Sequence, residues 1–465
     1  MPPAITTPHR HSEAGSESDP RWRWLHRVTA ACLLLLFAAT WRLWTPQGDF
    51  PQVPLFGWAT SLPTWLDWVA IVVLTPSLVG AVMARAVSWL ARWGWLVTAA
   101  SLIVLVIIDQ HRLQPWAYQF GLLALAFATL PPRCGLAWVR VLVVSIYVYS
   151  AVSKLDVSFC DTHGQRFLES LLPPIGLSMS LWSESTRRVA ALAFPAFELL
   201  IAAGLCWSRT RRVALAGSIV MHAMMLLILG PLGLGHRPGV LIWNVYFIAQ
   251  NVLLFGTRTP LSHEGGEGLV VRGELPRAPL APHPPAPSPR SGERGSTVGS
   301  AGASPSRRVG ALLTQSVFVL AVIVPFFEPW GLCDNWLAWG LYSAHGARAS
   351  VFVHEAAVER LPASARALVV IDPATAPWVR LRLDRWSLAA LDAPIYPSSR
   401  FDVGCTLAIV EAARLDNDQL LVRLEGPADR WTGQRSTNDV VGVDRVRSIA
   451  DGFWLNARPR DTVGR

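Results

Sequence analysis

The stretch VTAACLLLLFAATWRLW, residues 28–44, is the first of a series of apolar segments. Several of them exceed the roughly 18 residues that a bilayer-spanning helix needs. The composition agrees, with 52% hydrophobic and 16% charged residues, where a soluble chain carries nearer a quarter charged. The sequence therefore reads as an all-α polytopic membrane helix bundle of about nine transmembrane helices, followed by a C-terminal extracytoplasmic α+β domain.

Further spans are expected at roughly 65–84, 94–109, 115–130, 136–154, 188–207, 211–230, 239–256 and 309–327. The basic RWRWLHR before the first span resembles the start of a signal peptide. However, Trp41, Arg42 and Trp44 stand where small residues would mark a cleavage site, so the span is read as retained. Arginines recur at alternate connections: Arg21, Arg23 and Arg27, then Arg85 and Arg92, Arg133, and Arg209, Arg211 and Arg212. This pattern puts the N-terminus in the cytoplasm and the C-terminus outside, in a multi-pass protein of the cell (inner) membrane. Arg187 and Arg188 dissent from it.

Residues 1–20 are expected to be a disordered cytoplasmic tail and 21–256 an eight-helix bundle. The proline-rich stretch within 257–308 cannot bury a core and reads as a disordered linker. A ninth helix at 309–330 leads into the domain at 331–465. There ASVFVHEAAV, ALVVIDP, WVRLRLDRW and QLLVRLEG alternate like half-buried strands, and SSRFDVGCTLAIVEAARL has helical spacing with Ser398 or Ser399 as N-cap.

The formal charge of +9 follows from arginine retained on one side of a membrane, so no nucleic-acid partner is expected. The six cysteines form no Cys-x-x-Cys pair, which argues against a zinc site or a redox dithiol. Cys160, Cys333 and Cys405 fall on the outer side, and a Cys160–Cys333 bridge is one pairing the sequence leaves open.

Polar residues within apolar helices narrow the search for a site. Arg140, Tyr147, Ser150 and Lys154 are spaced by seven, three and four and share one helical stripe. Lys154 lies near the outer end, where its ammonium either faces the bundle interior or extends to the interface. Glu198, His222 and Asn244 sit inside the next three spans. Each alone fits an ordinary helix–helix hydrogen bond, whereas together they suggest a polar cavity. The link IIDQHRLQPWAYQ places Asp109, His111, Arg112 and Gln114 before Pro115 and Trp116. It reads either as an interfacial turn or as a lid, with Asp109 pairing Lys154 or Arg112.

The segment YVYSAVSKLDVSFCDTHGQRFL, with PLFGW, DQHRLQPWAYQFGLLALAF and SIVMHAMM in order, resembles the vitamin K-dependent gamma-carboxylase-like (HTTM) membrane family, itself broadly similar to DoxX-type membrane proteins. The resemblance covers roughly residues 46–256. It implies that Lys154 acts as a base toward a reduced quinone, for which the lysine must be held neutral by an apolar pocket. It also implies that Glu198 and His222 occupy positions where the family has an acidic residue and a helical histidine. Where carboxylases carry Asn-His, this chain has Pro115 and Trp116, with His111 on the other side of the turn. That departure weighs against glutamate carboxylation itself.

Three functions stay open. In a membrane-embedded carboxylase-like or quinone-dependent catalyst, Lys154 is the base, Asp109 and Asp156 orient it, and Glu198 and His222 shape the pocket. Tyr147, Ser150, Trp116 and Asn244 then bind substrate. In a non-catalytic protein the bundle binds a lipid or quinone, or assists assembly, while the outer domain contacts a protein partner. In a transporter, Glu198 and His222 relay protons, although no inverted repeat is seen. No metal is expected, and a reduced quinone is the one cofactor suggested.

Overall fold

A computed structural model describes residues 19–46, 48–83, 89–256 and 305–461. Proline opens several long helices, because its missing N–H is among those that a helix start leaves unbonded anyway. Such starts begin α1 (Pro20–Ala39), α4 (Pro115–Thr129), α5 (Pro132–Val152) and α9 (Pro238–Phe255). Among them lie α2 (Trp65–Met83), α3 (Trp89–Ile108), α6 (His163–Leu171), α7 (Ala193–Cys206) and α8 (Arg211–Leu229), and α10 (Pro305–Ile323) follows.

Among the described residues, 7 helical spans are long and apolar enough to cross a membrane. Of the expected spans, α1 and α4 fall outside this set. Arg23, His26 and Arg27 dilute the apolar run of α1, and α4 has only 15 residues. Both still pack in a closed ring in which α5, α7, α8, α9, α1, α2, α3 and α4 follow one another and α10 joins α4 to α5. Val72, Val213, Val220 and Leu312 stand mostly exposed around the ring. Bare aliphatic side chains on so many helices require lipid around them, and the chain is a multi-pass membrane protein in a bilayer. The tail over 1–18 and most of the linker, 257–304, lie outside the described residues, as does Arg85.

The C-terminal part forms an antiparallel sheet of five strands in the order β2-β3-β1-β4-β5. They are β1 (Arg348–His354), β2 (Val369–Val370), β3 (Trp378–Leu381), β4 (Leu420–Glu425) and β5 (Thr437–Val441). Alternation gives one apolar face, with Val351 opposite both Leu381 and Val422. The second half of WVRLRLDRW does not continue as strand. Leu383, Trp386, Ser387 and Leu391 are buried at helical spacing, so the chain turns at Arg382 into α11 (Leu383–Leu391). β5 and the final helix α13 (Val443–Gly452) go beyond the sequence reading.

Helix α12 (Ser399–Ala413) packs on the sheet through β1, and Ser398 is its N-cap residue, though its hydroxyl makes no capping bond. Its other side faces the bundle. Phe401 stacks on Phe50, Arg400 Nε donates to Gln110 Oε1 at 2.9 Å, and Gly404 lies against Val53. A Cβ at Gly404 would come within 2.8 Å of both Val53 methyls, so only glycine permits this approach. With neighbours on both sides, α12 is buried around nearly its whole circumference.

Candidate functional site

A cavity of about 650 Å³ lies between the bundle and the C-terminal part. Its walls come from Thr40 and Leu43 just after α1 and from α4, α5, α7, α8 and α9, and its roof from Asn335–Ser343 and Leu388–Pro397. Seven of the nine candidate site residues line it: Trp116, Tyr147, Ser150, Lys154, Glu198, His222 and Asn244. Asp109 and Asp156 do not.

The approach of Lys154 to Glu198 follows from where α5 ends. The helix stops at Val152, and Lys154 N bonds Ala151 O in the closing turn. Its side chain runs inward, and Nζ donates to Ser150 Oγ at 2.7 Å and to Glu198 Oε1 and Oε2 at 2.7 and 2.9 Å. All three ammonium donors are thereby used. The resemblance implied a lysine standing free in an apolar pocket. Instead a carboxylate and a hydroxyl hold it, because α7 packs directly on α5 and brings Glu198 across.

Deeper in the bundle, Tyr147 Oη shares a 2.7 Å hydrogen bond with His222 Nε2, and His222 Nδ1 lies 2.8 Å from Asn244 Oδ1. The Asn244 amide is oriented by its own bond from Nδ2 to Val240 O, 2.8 Å. Its Oδ1 must then accept, so in a neutral ring Nδ1 carries the proton and Nε2 accepts from Tyr147. Asn251 Nδ2 completes the chain by donating to Tyr147 Oη at 2.6 Å. Asn251 was not anticipated. It lies seven residues after Asn244, two helical turns along the same face, and that spacing was the available signal.

Lys154 and Asp156 point to different partners. Asp156 Oδ1 accepts from Phe159 N at 2.6 Å, capping the turn Val157–Asp161, while Oδ2 lies 3.3 Å from His345 Nδ1. His345 Nε2 is 2.8 Å from Glu328 Oε1. Burial alone would lower this imidazole, but the hydrogen bonds to Asp156 and Glu328 push it up to about 9. Arg430 adds a bond from Nη1 to Val152 O at 2.9 Å. Asp156 thus fastens the C-terminal part to the end of α5 and does not orient Lys154.

The link before α4 is a platform and not a lid. Asp109 accepts from Val53 N and His111 N, at 3.3 and 3.1 Å, and pairs with neither Lys154 nor Arg112. Burial pushes its carboxyl up to about 6 against the pull of nearby Arg112. Arg112 pairs with Asp67, whose other oxygen takes Arg460 Nη1 at 2.7 Å. His111 Nε2 is 2.8 Å from Pro394 O. Arg140, the remaining member of the α5 stripe, reaches away from the cavity to Leu254 O. The Cys160–Cys333 pairing that the sequence left open does not form. Both thiols are free, and burial pushes them up to about 11 and about 12.

The roof is conformationally strained. Trp339 and Tyr342 have φ of 58° and 59°, in the left-handed region that bulky residues seldom adopt. Trp339 stacks on Tyr118 of α4, which holds this side of the roof on the bundle.

The family model described as methylamine utilisation protein MauE matches residues 133–238. That segment contains Tyr147, Ser150, Lys154, Glu198 and His222. No curated protein and no solved structure matches the chain.

Proposed function

We propose that this membrane protein binds a lipid-soluble molecule with a polar head, of the quinone type, in the cavity beneath its C-terminal domain. One observation carries the reading: two separate hydrogen-bonded groups, Lys154–Glu198 and Tyr147–His222–Asn244, converge on one cavity with apolar walls. Its volume of about 650 Å³ lies within the usual range for small-molecule sites, and a few polar groups in an apolar wall fit a ligand with a head and a tail. Met221 and Met225, one turn apart on α8, supply an adaptable wall.

Binding is favoured over base catalysis because every donor of Lys154 is engaged within the protein. A carboxylase-like reaction requires that Glu198 first release the lysine, and a ligand hydroxyl placed between them would do this. The matched family's name ties it to methylamine utilisation, and this chain is proposed to share with it the helices that bear Lys154, Glu198 and His222. Arg21 and Arg140 both bond carbonyls at the end of α9 opposite the cavity, at Gly256 and Leu254. This supports a cytoplasmic N-terminus and an extracytoplasmic C-terminal domain in the cell (inner) membrane.

The test is saturable binding of a short-tailed naphthoquinone or its quinol to the protein in nanodiscs, measured by native mass spectrometry and calorimetry. Wild type should bind one molecule, and Tyr147→Phe and Lys154→Met should each weaken it. A folded wild type that binds neither form overturns the reading. Incubation of the quinol with oxygen separates catalysis from binding: epoxide formed by wild type and absent with Lys154→Ala would mark an enzyme.

A further inference from the structure

A second cavity, about 740 Å³, opens between the C-terminal sheet and the segment after Lys154. Six arginines line it: Arg166, Arg188, Arg348, Arg380, Arg382 and Arg435. Three have carboxylates: Arg188 pairs with Asp161, Arg348 with Glu425 and Arg382 with Asp384. No carboxylate among the described residues pairs with Arg166, Arg380 or Arg435.

The geometry of Arg380 and Arg435 prepares a site. Arg435 Nη1 donates to Gly346 O and Gly426 O at 2.8 and 2.7 Å, and Nη2 donates to Ala344 O. Backbone carbonyls therefore fix its plane, and its nearest carboxylates, Glu425 and Asp156, act on it without forming a salt bridge. Arg380 donates to Ser350 Oγ at 3.1 Å. We propose that this cleft binds a phosphate-bearing ligand. Two carboxylates lining the cleft are each held by a single arginine fork, Asp161 by Arg188 and Asp384 by Arg382, while the third, Asp402, accepts from Ala349 N. Three guanidiniums without a salt-bridge partner call for a dianion whose oxygens accept from more than one of them, and phosphate has that charge and shape.

The electrostatics of the cleft agree. Burial and repulsion from Arg382 and Arg348 outweigh Asp384 and Glu425 and hold Arg380 below its ordinary range, and burial with Arg348 outweighs Glu425 and Asp156 and does the same for Arg435. Burial also pushes the lining carboxyl of Asp402 up to about 7, which trims the opposing negative charge near neutrality. His163, Asn335, Ser343 and Pro397 line both cavities. A phosphate here would sit one layer of side chains from the quinone-type pocket, although the proposal does not depend on that pocket being occupied.

The test uses the full chain in phosphatidylcholine nanodiscs, with inorganic phosphate as probe and chloride at matched ionic strength as reference. Thermal unfolding should shift upward saturably with phosphate. Arg380→Gln and Arg166→Gln should each weaken the apparent affinity about tenfold. Arg447→Gln, which alters an arginine paired with Asp444 on the final helix α13, should leave it unchanged. Nanodiscs doped with phosphatidic acid identify the source. A stabilisation already present there, and no longer increased by phosphate, means a lipid headgroup; an undiminished phosphate response means a free phosphate compound. The proposal is overturned if phosphate gives no saturable shift and phosphatidic acid no stabilisation, or if both cleft variants respond as wild type does.

Discussion

Lys154 and Glu198, 44 positions apart, meet at 2.7 Å with little of either side chain exposed. Neither charge has another ionic partner in the cavity, so each depends on the other. Glu198→Leu should lower stability by about 3 kcal/mol, because a buried ammonium loses its counter-charge. The double variant Lys154→Met/Glu198→Leu should recover most of that loss. Thermal unfolding in nanodiscs reads both; a double variant no better than the single one would mean that the pair contributes nothing as a pair.

Tyr147→Phe tests the deeper hydrogen-bond chain. It removes one hydroxyl but strands two partners, the acceptor at His222 Nε2 and the donor at Asn251 Nδ2. The expected loss is about 2 kcal/mol. Asn251→Leu in the Tyr147→Phe background should cost less than it does in wild type, and a double-mutant cycle measures the difference.

The attachment of the C-terminal part should depend on pH through His345. Its folded value, about 9, lies above the ordinary histidine value of about 6.5. The stabilisation is therefore complete below about 6.5, declines as pH rises, and is gone above about 9. Unfolding followed from pH 6 to about 10 should show this decline, and His345→Gln should flatten it. An unchanged profile in His345→Gln would assign the dependence to other groups.

Asp67 carries more of the assembly than the residues expected from sequence. It is fully buried and holds Arg112 and Arg460, joining the start of α2, the link before α4 and the end of the described chain. Asp67→Leu should destabilise by about 4 kcal/mol, since two buried guanidiniums lose one shared carboxylate. Asp109→Leu should cost less, because Asp109 serves two backbone N–H groups and no cation directly. Equal losses would show that Asp67 is not the joint.

The helical framework was legible because apolar runs announce themselves by length, and the cavity residues because a polar group in such a run has few reasons to exist. Glu198, His222 and Asn244 were found that way. Asp109 and Asp156 were misread for a common reason. Each follows an apolar helix, and only the chain folded back from far along the sequence shows what it serves: His345 meets Asp156, and the C-terminal part covers the turn held by Asp109. Arg460 and Asp67 are nearly four hundred residues apart, and no local pattern links them. The turn at Arg382 was missed because WVRLRLDRW suits both periods until Trp386 finds Phe50.

The C-terminal part that bears the roof is pinned at two separate points, by Arg460 on Asp67 and by His345 on Asp156. It cannot swing away as a hinged cover without breaking buried ionic contacts at both. We propose that a lipid-soluble ligand of the kind argued above enters from the bilayer around the helices and not by opening of this cover. Its working concentration is set by partition into lipid, and an affinity measured per litre of water will vary with the lipid-to-protein ratio even though the site itself is unchanged.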